Sequence, residues 1–196
     1  MDSTEFIETV SEENKTALSR LGSSKALYAM TEGEMDDETV LAGGADRAHY
    51  VAETVDGWDG SVFADAANTA RDHYATITGE LDDHEPGDRP ALFEALANQR
   101  DTAARLGGLA GWALVADKTY EQLTGYFVGQ ADPQTSQLFR DMRGDIEDRR
   151  IDALDALAED GDWETAETAA SEVVQAAYDG YFETLEALGV NPKPVC

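Results

Sequence analysis

The chain has 196 residues, with 41 Asp and Glu against 14 Lys and Arg, and its formal net charge is −27 at pH 7. Nucleic acids and anionic membranes are bound through basic patches, so this balance excludes both as expected partners. The length suits one domain with a substantial apolar core, and we expect a single domain over residues 1–196.

The many carboxylates are accompanied by few Lys and by many small apolar residues. Repulsion among like charges opposes compaction in dilute buffer, whereas at about 1 M salt the Debye length falls to about 3 Å. This composition is typical of cytoplasmic proteins of haloarchaea; the other interpretation is an acidic protein of an ordinary cell. Because the N-terminal segment is acidic and amphipathic, we expect no signal peptide and a cytoplasmic location.

The only cysteine is the last residue, Cys196. A single cysteine allows no intramolecular disulfide and no cysteine-rich zinc motif. Two interpretations stay open, a free thiol on the tail or a disulfide between subunits.

The first 35 residues are predicted to form an N-terminal helical extension. A helix over residues 3–21 is indicated by Asp2, which can cap it, and by Glu5, which completes a capping box. A second, short helix is expected from Ser24 to Met30.

Residues 36–160 are predicted to form the core, as two antiparallel helical hairpins. The first joins a helix that begins at Asp36 to a helix over residues 61–81, and the loop after it contains His84, expected at the surface. The second joins the least charged long segment, residues 101–130, to a helix that begins at Pro133, where Asp132 and Pro133 form a strong start signal.

The central segment is preceded by a helical stretch from about Pro90, predicted to run into it. Two adjacent apolar rows along this segment indicate a helix covered by its neighbours on much of its circumference. Gly107, Gly108 and Gly111 lie inside it and are expected at close helix contacts.

Residues 161–196 should supply a last helix and a tail, with Asp162 as cap. No segment alternates as a strand does, so the predicted class is all-α. The expected architecture is an antiparallel four-helix bundle with additional N- and C-terminal helices.

Bundles of this kind often hold metal in the middle of the core, between carboxylates and histidines of facing helices. Asp46 and His73 lie 13 and 14 residues from the first hairpin turn, near residue 59, and Asp117 and Asp145 each lie 14 residues from the second, near residue 131. At 1.5 Å per residue such pairs are level along the helix axis. The candidate metal ligands at this height are His49, His73, Asp117 and Glu147, together with Asp46.

Two of the candidates also have a plain structural interpretation. His73 can be a hydrogen-bonded core histidine, and Asp117 can be paired with Arg149 or Arg150 at a helix boundary. The chain contains no Glu-x-x-His, and Arg150 stands where a His would follow Glu147. The Arg150 guanidinium would then replace a metal cation as the partner of Glu147.

Four segments together resemble haloarchaeal rubrerythrin-like proteins of the ferritin-like superfamily. They are WDGSVFADAANTARDHYATIT, WALVADKTYEQLTGYFVGQAD, LFRDMRGDIEDRRIDALDAL and ALGVNPKPVC. The resemblance implies an antiparallel four-helix bundle with a carboxylate-bridged di-iron centre, which reduces peroxide in rubrerythrins and oxidises iron in ferritins. It places Ala48 and Ala70 where two ligand glutamates would stand, His73 at the ligand histidine, and Asp117 and Glu147 near the other two carboxylates.

The family's rubredoxin-like cysteines are absent from this sequence. We therefore expect a ferritin-like bundle with a degenerate metal site and a non-catalytic or interaction role, with a protein partner that the sequence does not identify. The alternative is a metal-binding oxidoreductase of the rubrerythrin type, with iron or another divalent metal as its cofactor, bound through His49, His73, Asp117 and Glu147. A third interpretation is a structural homo-oligomer joined through the outer face of the first helix.

Overall fold

The computed structural model describes residues 1–192, and within them the chain forms helices and no strand. The all-α prediction is therefore confirmed for this range, while the interpretations of Cys196 fall outside it. The helices are α1 (Ser3–Glu13), α2 (Lys15–Leu21), α3 (Ser24–Met30), α4 (Asp37–Val55), α5 (Ser61–Thr78), α6 (Ala91–Ala97), α7 (Thr102–Gly129), α8 (Pro133–Asp160) and α9 (Trp163–Ala187).

The helix α7 is the centre of the packing. From Ala103 to Ala116 all of its residues except Arg105 are buried. The main partners of α7 are α8 and α9, while α4 pairs with α5, and the two groups meet through contacts of α5 with α8 and of α4 with α7. Buried side chains from all of these helices join in one apolar core, which explains why α7 has apolar residues around most of its circumference.

Two glycines of α7 bring its backbone against the backbone of α9. A Cβ added at Gly107 would lie 2.1 Å from the carbonyl oxygen of Ala166, and one at Gly111 would lie 2.6 Å from that of Ala170. Both contacts advance in the same direction along the two helices, so α7 and α9 run parallel here. The prediction of close contacts is confirmed at these two positions.

The helix predicted over residues 3–21 is divided at Asn14 into α1 and α2. The Asn14 side chain is buried and donates to the carbonyl of Val10 at 2.9 Å and to Ser171 Oγ at 2.9 Å. Gln175 Nε2 donates to Asn14 Oδ1 at 2.6 Å. The Asn14 amide therefore links the N-terminal extension to α9. Its hydrogen bonds to α9 offset the free energy lost where the helix is interrupted.

The segment predicted to run from Pro90 into the central helix is also divided. The short helix α6 ends at Ala97, and α7 begins after Asp101, whose carboxylate accepts from the backbone N–H of Ala104 at 2.9 Å. The predicted start at Asp132 is confirmed, because its carboxylate accepts from the N–H groups of Gln134 and Thr135, each at 3.0 Å.

Candidate functional site

A buried histidine joins three of the core helices. His73 of α5 is 4% exposed, and its Nε2 lies 3.0 Å from Oδ2 of Asp145 on α8. Its Nδ1 lies 3.4 Å from the hydroxyl of Tyr120 on α7. A neutral ring with its proton on Nε2 satisfies both partners, because Nε2 donates to the carboxylate and the Tyr120 hydroxyl donates to Nδ1.

Tyr120 continues this arrangement into the core. Its ring meets that of His73 edge-on, with centroids 5.8 Å apart, and stacks on Phe139 at 5.9 Å. Burial raises the pKa of the Tyr120 hydroxyl well above its usual value, against the opposing charge of Arg47. The hydroxyl therefore stays protonated and serves as a hydrogen-bond donor.

The His73 imidazole is held in its neutral form. Burial lowers its pKa, and the hydrogen bond and charge of Asp145 oppose this shift without cancelling it. A buried neutral histidine that also has a carboxylate neighbour is a hydrogen-bonded junction between helices, which was one of the two interpretations made from the sequence.

We expect His73 to make the protein less stable in mild acid. Because its folded-state pKa is lowered, the unfolded chain binds more protons than the folded chain once the pH drops below about 6.5, the ordinary histidine pKa. The contribution of His73 is therefore complete above that pH and is lost as the pH falls toward the lowered folded-state pKa. Urea unfolding at about pH 7.5 and 5.5 should show a smaller loss of stability in His73→Gln than in the wild type. Equal losses would contradict the assignment, since the carboxylates common to both proteins cancel in the comparison.

The carboxylate of Asp117 forms ion pairs with two cationic side chains. Its Oδ1 accepts from Arg143 Nε at 2.5 Å, and its Oδ2 lies 3.2 Å from Lys118 Nζ. Burial is the largest influence on the pKa of Asp117 and raises it, but the hydrogen bonds and charges of Arg143 and Lys118 together outweigh burial and leave it below its ordinary value. Asp117 is thus paired as one interpretation expected, although with Arg143 and Lys118 and not with Arg149 or Arg150.

The other two predicted ligands, Glu147 and His49, have neighbours other than His73 and Asp117. Glu147 has a side chain that is 65% exposed and meets Arg150 Nη2 at 3.4 Å. His49 packs its ring against Tyr50 at 5.0 Å and Tyr74 at 5.3 Å. Within residues 1–192 no three His, Cys, Asp or Glu side chains are grouped as a metal site would require.

Asp46 binds the loop after α5 and does not join His73. Its Oδ1 lies 2.8 Å from His84 Nε2, and its Oδ2 accepts from the backbone N–H of Gly87 at 3.3 Å. The side chain of His84 is only 8% exposed. The prediction of a solvated His84 was therefore wrong, because the loop folds back onto α4 and gives the ring a carboxylate partner.

Further contacts fasten the same loop. The Tyr50 hydroxyl donates to the carbonyl of Gly87, and Arg89 donates to Thr54 Oγ1 and pairs with Glu53 at 3.2 Å. The Arg89 guanidinium also lies over the Tyr50 ring, 5.6 Å from its centroid. Residues 84–89 of this loop are thus fixed along one face of α4.

Asp145 and Tyr120 are the partners of His73. The sequence pointed to Asp145 more clearly than to Tyr120. Asp145 was placed level with Asp117 by its distance from the second turn, whereas Tyr120 carried no signal beyond its place in an apolar row. The roles of Asp46 and His84 could not be deduced from spacing, because they depend on the path of a loop.

Comparison of the chain with protein-family models, with curated proteins and with solved structures gives no match. Among residues 1–192, no helix combines the length and the apolar character that crossing a lipid bilayer demands.

Proposed function

We propose that the chain is a ferritin-like bundle of the haloarchaeal rubrerythrin-like kind that acts by binding and not by redox catalysis. The proposal takes α4, α5, α7 and α8 as the four helices of the bundle. Its support is their order of contact, in which α4 pairs with α5, α7 pairs with α8, and the two hairpins meet through α5 with α8 and α4 with α7.

One observation carries the non-catalytic part of the proposal. The charge of Asp117, one of the predicted metal ligands, is already balanced by Arg143 and Lys118. A carboxylate must be free of such pairs to bridge two metal ions, and a buried carboxylate needs a partner of some kind. Here the partners are cations of the chain itself.

The residues present do not fit a carboxylate-bridged di-iron centre. Ala48 and Ala70, both 2% exposed, have no metal-binding group at the positions where the resemblance implies glutamates. The remaining His73 is bonded to Asp145 and Tyr120. We therefore derive no reaction step through iron.

A second candidate function is supported by the pair of His73 and Asp145. An imidazole nitrogen 3.0 Å from a carboxylate oxygen presents two groups that bind divalent metals well. If both bound one ion in place of their mutual hydrogen bond, the protein would have a metal centre in the bundle, and the function to test would be that of a metal-binding oxidoreductase of the rubrerythrin type.

Metal content separates the two candidates. We expect protein purified in about 2–4 M KCl, where charge repulsion is screened, to contain no stoichiometric metal, with or without added ferrous iron. Plasma mass spectrometry of the wild type, of His73→Ala and of the control His84→Ala, which removes a histidine outside the predicted ligand set, makes the measurement. Stoichiometric iron that is lost in His73→Ala would overturn the proposal and favour the oxidoreductase, whose peroxide reduction would then be assayed.

A further inference from the structure

A cavity of about 500 Å³ lies on the side of α4 that faces α3, α6, α7 and α9. Its apolar lining includes Leu27, Leu92, Val115 and Ala177. Binding sites for small molecules have volumes of about 300–1,000 Å³ and combine apolar walls with a few polar groups. Size and lining therefore suit a small ligand with an apolar body.

Arg47 is the polar group that distinguishes this cavity. It lines the cavity and also a smaller adjoining one, where Trp112 and Tyr120 are its neighbours. Its Nη1 donates to the carbonyl of Gly43 at 3.1 Å, and within residues 1–192 no carboxylate oxygen lies within 4.0 Å of its guanidinium. Four other arginines, Arg20, Arg100, Arg105 and Arg140, likewise have no carboxylate oxygen of residues 1–192 within 4.0 Å, but none of them lines this cavity.

The nearest carboxylate on the same helix is occupied elsewhere. Asp46 is bonded to His84 and to the N–H of Gly87. Its charge therefore stabilises the charged form of Arg47 without forming an ion pair with it. Burial lowers the pKa of Arg47 to about 10, while Asp46 raises it. The guanidinium is charged at neutral pH and partly buried, a condition that an anion would relieve.

A second guanidinium lines the same cavity. Arg89 is engaged with Glu53 and Thr54, but its Nε–H is buried and has no hydrogen-bond partner. Thr119 and Gln122 add neutral polar groups to the wall. Four carboxylates on the lining, at Glu32, Asp46, Asp88 and Glu183, oppose an anion. Asp46 is bonded to His84 and to the N–H of Gly87, and salt at molar concentration screens the other three, which are exposed.

We propose that this cavity binds a small organic carboxylate with an apolar body, its carboxylate held by Arg47. A guanidinium binds a carboxylate through two parallel N–H···O bonds. The apolar wall favours such a ligand over chloride or inorganic phosphate, which bury no apolar surface. This inference does not rest on the metal content of the bundle.

The test uses hexanoate as probe and hexanamide as its neutral counterpart, titrated into the full chain in KCl and followed by amide shifts in NMR spectra. We expect hexanoate to shift the amides of Gly43 and Thr119 and to bind more tightly than hexanamide. Arg47→Gln should weaken hexanoate binding by about tenfold or more, because a charged hydrogen-bond pair is lost. Arg140→Gln, which changes the net charge equally at an exposed residue outside the cavity, should bind as the wild type does.

A second variant tests the cavity without altering charge. Ala176→Leu fills space from the α9 side and should reduce hexanoate binding while the helical circular dichroism stays unchanged. If Arg47→Gln proves unfolded, Ala176→Leu and Arg47→Lys take its place as the variants that should bind hexanoate more weakly than the wild type. No shift with millimolar hexanoate, equal binding to Arg47→Gln, or equally tight binding of hexanamide would each overturn the proposal.

Discussion

Gly107→Ala is expected to lower the free energy of unfolding by about 3 kcal/mol or more, at the upper end of overpacking effects. The new Cβ would lie 2.1 Å from the Ala166 carbonyl oxygen and 2.4 Å from the Ala166 Cα. Both are backbone atoms and cannot turn aside as a flexible side chain can. The two helices must separate, and the apolar contacts around Gly107 are weakened with them.

Urea unfolding in molar KCl measures this effect, and Gly125→Ala is the matched control in the same helix. A Cβ at Gly125 meets nothing within 4 Å, so alanine there should raise the free energy of unfolding by about 0.5–1 kcal/mol through helix propensity. The two substitutions are the same in chemistry, and their expected effects on the free energy of unfolding have opposite signs. If Gly107→Ala were as stable as Gly125→Ala, the close contact of α7 with α9 would be refuted.

Phe139→Ala should cost about 3–5 kcal/mol, the usual range for removing a fully buried phenylalanine. Phe139 is 0% exposed and stacks on Tyr120 at 5.9 Å and on Phe127 at 5.7 Å, so it joins α8 to α7. Its ring also lies 3.5 Å from where a Cβ of Gly44 would be. Truncation leaves a cavity bounded by three helices that cannot all close in.

The same denaturation experiment measures it, with Val128→Ala as control. Val128 is 54% exposed, and its truncation should change the free energy of unfolding by no more than about 0.5 kcal/mol. A cost for Phe139→Ala of under about 1 kcal/mol would mean that α8 is not packed on α7 through this ring.

The sequence predicted best where local chemistry and burial agree. The apolar rows of residues 101–130 predicted a covered helix, and Asp132 with Pro133 predicted the start of the next one; both are present as α7 and α8. Glycines inside a helix are costly, so Gly107 and Gly111 predicted close contacts, which α9 supplies.

Two divisions of the chain could not be predicted from periodicity. Asn14 interrupts an amphipathic stripe that continues on both sides, and its reason is a set of hydrogen bonds to Ser171 and Gln175. Contacts between residues far apart in sequence decide this division, and a local pattern contains no information about them. The break between α6 and α7 is different, because the polar residues 98–101 and the capping Asp101 are local signals of a new helix start that the apolar periodicity alone does not register.

The sequence predicted the position of the candidate residues along the helix axes but not which side chains pair with each other. Counting from the turns placed Asp117 and Asp145 level, and Asp145 is a partner of His73. This counting did not predict in which direction around the helix each side chain points. The direction decides that Asp117 pairs with Arg143 and that Glu147 is exposed. Spacing along an axis therefore yields candidates, while pairing depends on the angle at which helices pack.

The contact of α7 with α9 also sets a single axial register. Shifting α9 by one turn to place Ala166 opposite Gly111 would bring Ala170 opposite Val115, whose side chain prevents backbone approach. The opposite shift would set Ala166 against Ala103. Only the observed alignment puts a glycine at both contacts, so α9 cannot slide along α7. The Tyr181 hydroxyl of α9 donates to the carbonyl oxygen of Pro192 at 3.4 Å, so the two glycines that fix the register of α9 on α7 also fix the position of the residue to which Pro192 is hydrogen-bonded.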